Sequence, residues 1–284
     1  MSGKSVPSAN LTAFGRHLTR TWVSVMKDRN PVVAGSFYPE SPQELKQDLS
    51  HMLSPCSSSE VFPKGLIVPH AGYCYSGNIA ATGYATLKQF KDTIKRVILL
   101  GPSHRVYLHG CAVPHYDYFC TPLGKVPVDE QACRQLVDAG LLGQGDQPHA
   151  LEHSLEVQLP FLQTCLDDFQ LVPIVVGEAS PQEVSKILNF FSDDPENLVV
   201  VSSDMSHYHS DQEARILDKK TIEAILAFNL NIQPYDACGC HAVNGLLDYA
   251  HQHKWHIKLL DHGNSGDTSG DKSKVVGYAS FILY

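Results

Sequence analysis

Gly65-Leu66-Ile67-Val68-Pro69-His70-Ala71-Gly72-Tyr73 sets the pattern on which the fold is read. A short aliphatic run with no polar alternation reads as a strand buried on both faces, the kind found in parallel sheets covered by helices. The proline and the glycine-containing turn end the strand, and the first side chain past the proline is a histidine. Working outward, Val97-Ile98-Leu99-Leu100 runs into Gly101-Pro102-Ser103-His104, and Val199-Val200-Val201 runs into Ser202-Ser203-Asp204, with His207 three residues later. A lone histidine after a strand is usually a hydrogen-bonded loop residue. Three exits of one sheet carrying side chains that ligate metals or move protons point to a shared site, because open α/β sheets gather ligands beyond the carboxyl ends of their strands.

The remaining apolar runs extend the same alternation. Gly65–Pro69, Arg96–Leu100, Leu171–Val176, Leu198–Val201, Ile257–Leu260 and Val275–Leu283 read as strands. Helical stretches are expected at Ser76–Gln89, Gln131–Ala139, Pro181–Phe191, Asp211–Phe228 and His241–Gln252. Leu155, Leu159, Leu162 and Leu166 share one helical face, with Pro160 expected to kink that helix. The result is a single α/β domain, a mainly parallel central sheet covered by helices, spanning residues 30–284. Residues 1–29 differ. Up to Lys27 they hold Lys4, Arg16, Arg20 and Lys27 and no acidic residue. They read as a disordered extension, with a mitochondrial or plastid presequence as the alternative.

Composition narrows the function classes. Apolar residues make up 43% and charged residues 18% of 284, which excludes a disordered chain. No apolar stretch approaches the roughly 20 residues that span a bilayer. A formal charge of −8 argues against nucleic acid as a partner and towards small molecules or proteins. Eight cysteines without a CxxC pair fit free thiols in a reducing, cytoplasmic setting better than a disulfide framework or a zinc ribbon.

Two further segments carry chemistry. Cys238-Gly239-Cys240-His241 precedes the helix Ala242–Gln252, and a thiol at a helix N-terminus is expected to have its pKa lowered towards the metal-binding thiolate. Glu152-His153-Ser154-Leu155-Glu156 sets His153 and Glu156 three apart, on one face if the segment is helical, which suits a carboxylate orienting an imidazole or an acid/base pair. Near the C-terminus, Asp261-His262-Gly263-Asn264-Ser265-Gly266-Asp267 reads as a polar, Gly-rich loop leaving a strand at the same sheet edge.

These motifs, in this order, resemble the MEMO family. The resemblance rests on Pro31-Val32-Val33-Ala34-Gly35-Ser36-Phe37-Tyr38-Pro39, Pro69-His70-Ala71-Gly72-Tyr73 and Gly101-Pro102-Ser103-His104. It continues through Glu152-His153-Ser154-Leu155-Glu156, Ser202-Ser203-Asp204-Met205-Ser206-His207, Cys238-Gly239-Cys240-His241 and Asn264-Ser265-Gly266-Asp267. The short loops look more like the microbial members, those encoded beside radical-SAM and AMMECR-type proteins, which the resemblance implies as pathway partners. It implies a fold similar to class III extradiol dioxygenases, with His70 and His104 where two histidine ligands would stand and Cys238 in place of a glutamate. Iron(II) or copper would then be the cofactor, zinc ranking below them, with Asp204 and His207 close by and His207 at an acid/base position. Thiolate in place of carboxylate softens the donor set and shifts the preferred metal, so the fold transfers better than the reaction does.

Three functions are consistent with that reading. One is a metal-dependent, oxygenase-like enzyme on a small organic substrate, in which His207, held by Asp204 or Glu156, moves protons and His153 polarises the substrate. The second is a non-catalytic cleft for a peptide or protein. The third is a site that stores, delivers or reduces copper or iron.

Overall fold

The structure is a computed structural model that describes residues 26–56, 59–192 and 194–284. In chain order its strands are β1 Asp28–Arg29, β2 Gly65–Val68, β3 Arg96–Pro102, β4 Cys111–Val113, β5 Tyr118–Thr121, β6 Gly124–Pro127, β7 Gly143–Gln144, β8 Gln170–Val176, β9 Asn197–Ser202, β10 His207–His209, β11 Ile257–Asn264 and β12 Val275–Leu283. Its α-helices are α1 Pro42–Leu53, α2 Tyr73–Ala85, α3 Glu130–Asp138, α4 Gln147–Ala150, α5 Leu159–Cys165, α6 Pro181–Asn189, α7 Asp211–Leu226, α8 Cys240–Gln252 and α9 Ser265–Ser269.

The aliphatic runs lie side by side as β2-β9-β3-β8, all parallel and almost wholly buried. Antiparallel strands flank this core on both sides: β12, carrying β11 and β10, pairs with β2, and β4 pairs with β8. The nine-stranded sheet is therefore mixed, parallel at its centre and antiparallel towards its edges. Helix α2 packs on β2 and β12, and α8 on β3 and β9. Helix starts follow local chemistry. Ser180 with Glu183 and Ser210 with Glu213 form reciprocal capping boxes that satisfy the first free amides of α6 and α7.

Several boundaries differ from the sequence reading. The fold takes in Asp28 and Arg29, which pair in parallel with Tyr118 and Phe119 in a three-stranded sheet β1-β5-β6, so the domain starts before residue 30. Of residues 1–29, read as an extension or presequence, residues 1–25 lie outside the described residues. Helix α2 begins at Tyr73, three residues before the expected Ser76, and gives way to a 3₁₀ turn at Lys88–Phe90. The expected kinked helix from Leu155 is instead a 3₁₀ turn, Glu156–Gln158, followed by α5, and Pro160 lies in the first turn of α5 rather than at a kink. A proline there lacks an N–H that would have been unpaired anyway. The Gly-rich stretch expected after residue 260 is mostly structured: β11 runs on to Asn264, whose side chain caps α9.

Candidate metal centre

Register alone brings the first three site residues together. Val68 of β2 lies opposite Ser202 of β9, and Leu100 of β3 opposite Val201. His70 and Asp204 each stand two residues past a paired position on adjacent strands, and His104 follows Pro102 at the end of β3. The backbone N–H of His70 donates to Asp204 Oδ1 at 2.7 Å, locking the two exits together.

The back of each imidazole is held. His70 Nδ1 is 2.7 Å from Ser202 Oγ. That hydroxyl spends its one proton on the Ser154 carbonyl at 2.7 Å and accepts from Gln158 Nε2 at 2.9 Å. It must therefore accept from His70 as well, which places the ring proton on Nδ1 and leaves Nε2 with its lone pair. Gln158 is fixed in turn by Tyr84, whose hydroxyl donates to its Oε1 at 2.8 Å.

Glu152 does the equivalent for His104. Its Oε1 accepts from His104 Nδ1 at 2.9 Å and from the backbone N–H groups of His153 and Ser154, both at 2.9 Å, while Oε2 accepts from His104 N at 2.6 Å. The turn carrying these residues presses against β3 at Gly101, where a Cβ would sit 2.7 Å from Ser154 Oγ and 2.9 Å from Leu155 Cδ2. Only glycine permits that approach. His153 is thereby stacked on His104, ring centroids 4.7 Å apart and 22° from coplanar.

Cys238 arrives from the start of α8. Its Sγ is 3.3 Å from His70 Nε2 and accepts from Asp204 N at 3.3 Å. Gly239 makes this close approach to β9: a Cβ there would meet Ser202 O and Ser203 Cβ at 2.7 Å. The expected His70, His104, Cys238 convergence is not the one found. Among the described residues, the group whose ligand atoms all lie within 4.8 Å of one another is His70, His104 and His153, and the sulfur stands beside His70 outside it. The expected lowering of the thiol pKa is also reversed. Burial, then the neighbouring Asp204, pushes the Cys238 thiol well above its usual value, and Cys238 lies just before the N-cap rather than within the helix.

Glu156 leaves the site altogether. Its carboxylate accepts from Arg29 Nη1 at 2.7 Å, from Tyr38 Oη at 2.8 Å and from the amides of Val32 and Val33. Residues 153–155 are not helical and Glu156 only opens the 3₁₀ turn, so no α-helical His153–Glu156 face exists; the adjacent Glu152 is the carboxylate that orients imidazole. Glu152, Ser202 and Gln158 were given no role in the sequence reading. Glu152 adjoins the singled-out His153, and Ser202 precedes Asp204, but only the contacts distinguish them.

The imidazoles open into a cavity of about 600 Å³ that is also lined by Asp204, His207 and Tyr208. Larger hollows, of about 870, 760 and 740 Å³, lie elsewhere, and none gathers several histidines; the last has His253 alone. His207 sits on β10 opposite Val276, next to a bulge, and Tyr208 adopts a left-handed φ of 64° and is 72% exposed. The Gly-rich segment contributes Ser265 and Ser269 to the same wall.

Electrostatics favours neutral rings. Burial, then repulsion from His104, lowers His70 to about 3, and burial, then His70, lowers His153 to about 4. Burial would raise Glu152, but hydrogen bonds and charge from His104 outweigh it and hold the carboxyl down at about 2. Burial raises Asp204 despite the hydrogen bond from His70. Three imidazoles, two with their Nδ1 atoms fixed by Ser202 and Glu152, and an adjacent thiol form a donor set that fits a transition-metal cation.

A family model described as Memo-like protein matches residues 29–282. Similar chains include a MEMO1 family protein of Methanosarcina mazei, 35% identical over 91% of this chain and all of that one. Another, of Ignicoccus hospitalis, is 37% identical over 89% of this chain and 97% of that one, and one of Thermoplasma acidophilum is 33% identical over 89% and 98%. Among solved structures, an uncharacterized protein, JW3007 from Escherichia coli K12, aligns with 77% of this chain and 99% of its own at a TM-score of 0.46 and 12% identity. Matched from β1 almost to its last residue, this chain belongs to the Memo family.

Proposed function

We propose that the cavity is a mononuclear metal-dependent redox site, iron or copper, acting on a small organic substrate in the manner of an oxygenase. The observation that carries this reading is the cluster of His70, His104 and His153 with ligand atoms within 4.8 Å of one another, at the floor of an open cavity. A structural metal would normally be closed off by its ligands, whereas this one would face space for a second molecule.

His70 and His104 hold the ion through the nitrogens left free by Ser202 and Glu152. The third donor is His153 or Cys238, whose sulfur lies 3.3 Å from His70 Nε2. A bound cation would offset the burial and the Asp204 charge that raise the thiol's pKa. Bound iron(II) or copper supplies one-electron chemistry that the side chains lack. The chain's own part is to bind, orient and move protons: Asp204 fixes the His70 exit, and His207, on the cavity wall, exchanges a proton with substrate or solvent.

Metal analysis of anaerobically isolated protein tests this, with His70→Ala/His104→Ala, His153→Ala and Cys238→Ser compared. We expect the double variant to lose the metal and one of the two single variants to lose it with it, identifying the third donor. Undiminished metal in the double variant removes the proposal. His207→Ala should keep the metal and stop oxygen consumption with a catechol-type probe.

A further inference from the structure

The cavity rim holds a charge arrangement that the metal-centre reading does not use. Of the five arginines among the described residues, Arg29, Arg96, Arg134 and Arg215 each pair with a carboxylate. Arg105 has neither ion pair nor hydrogen bond among the described residues, and it follows His104 directly at the cavity wall. Lys274, on the segment leading into β12, lines the same cavity and is likewise unpaired.

Two carboxylates line the same cavity, and neither pairs with Arg105 or Lys274. Asp271 accepts from the backbone N–H and hydroxyl of Ser273 at 2.9 and 2.7 Å, and Asp204 accepts from His70 N. In a chain of net charge −8, two cations with no carboxylate partner among the described residues, on the wall of one cavity, offer an anion a local site. A guanidinium whose five donors have no protein partner among the described residues, beside a cavity, is suited to a planar or tetrahedral oxyanion.

We propose that the molecule admitted to this cavity is a small organic anion, its carboxylate or phosphate gripped at the rim by Arg105 and Lys274 while its uncharged part reaches the histidine floor. This substrate class rests on the reading of the cavity as the functional site, although rim recognition itself does not need the metal. Arg105 and Lys274 would decide which molecules enter, and the floor what happens to them.

The test titrates benzoate, inorganic phosphate and uncharged benzamide into metal-loaded protein, chelator-stripped protein and the His70→Ala/His104→Ala variant. It follows the Arg105 side-chain N–H and the His207 ring by NMR. Saturable binding of benzoate or phosphate is expected in all three, with the tighter of the two identifying the headgroup, and no response to benzamide. Arg105→Gln and Lys274→Gln should each weaken binding about 5-fold, and together by about 25-fold, the order set by one exposed charge contact apiece. Unchanged backbone spectra confirm that these surface variants are folded. Equal binding of benzamide, or anion affinity indifferent to both substitutions, overturns the proposal. Anion binding that needs the metal yet ignores both substitutions sinks the rim proposal and leaves the metal centre standing. Rim binding intact in protein that takes up no metal does the reverse.

Discussion

Glu152 grips His104 twice, one carboxylate oxygen taking the ring Nδ1 proton at 2.9 Å and the other the backbone N–H at 2.6 Å. A ring tied at both points cannot swing, and its only free nitrogen is Nε2. At 1% exposure Glu152 has little water to fall back on, so its charge and the ring's tautomer are set together.

Glu152→Gln should therefore weaken metal binding about 10- to 100-fold, the usual effect of losing a carboxylate behind a ligating histidine. Competition against a chelator of known affinity measures this. Wild-type affinity in the variant would show that His104 is not held for metal binding.

Ser202→Ala should loosen the His70 tautomer. The change strands the ring Nδ1–H, Gln158 Nε2 and the Ser154 carbonyl in a buried site, at about 1–3 kcal/mol for an unsatisfied group. Nitrogen-15 shifts of the His70 ring should report a single Nδ1–H form in the wild type and a mixture in the variant. A single unchanged form in both contradicts the assignment.

Removing Glu156 should cost stability rather than chemistry. Arg29 is 2% exposed and its partner fully buried, and breaking a buried pair by losing one member costs about 3–5 kcal/mol. Urea denaturation of Glu156→Gln should show that loss, while metal content per folded molecule stays constant. Wild-type stability with lost metal would return Glu156 to the site.

Acid sensitivity has a defined direction. Burial, partly offset by the hydrogen bond to the Ala112 carbonyl, lowers His149 to about 4. Between that value and the unfolded histidine's pKa of about 6.5, the unfolded chain binds the proton and the folded one does not, so stability falls as pH drops through this window. The loss from His149 approaches about 3 kcal/mol at its acid end. His70 and His153 act in the same sense. Unfolding midpoints at pH 7.5 and 5 should differ less in His149→Leu than in the wild type; an equal difference would mean that His149 is protonated in the folded protein.

Much of this molecule can be read without coordinates because its strands are local statements. Leu66-Ile67-Val68, Ile98-Leu99-Leu100 and Val199-Val200-Val201 are apolar on both faces, so they can only be interior strands, and the turns that end them place His70, His104, Asp204 and His207 at one sheet edge. Helix starts marked by Ser180 and Ser210 are equally local. The antiparallel flanks of the sheet are not, since pairing direction depends on how the chain returns.

The amino-acid order thus determined the central strands, the helices around them and the edge where the chemistry gathers. Tertiary packing decided which side chains meet there. A polar turn and a polar helix face look alike in one dimension, so the exchange of Glu156 for Glu152 became visible only when Gly101 let the 152–155 turn close on β3. The state of Cys238 likewise depends on burial and on Asp204, which lies 34 positions away along the chain. Desolvation and through-space charge arise from neighbours in the fold, and no local motif encodes them.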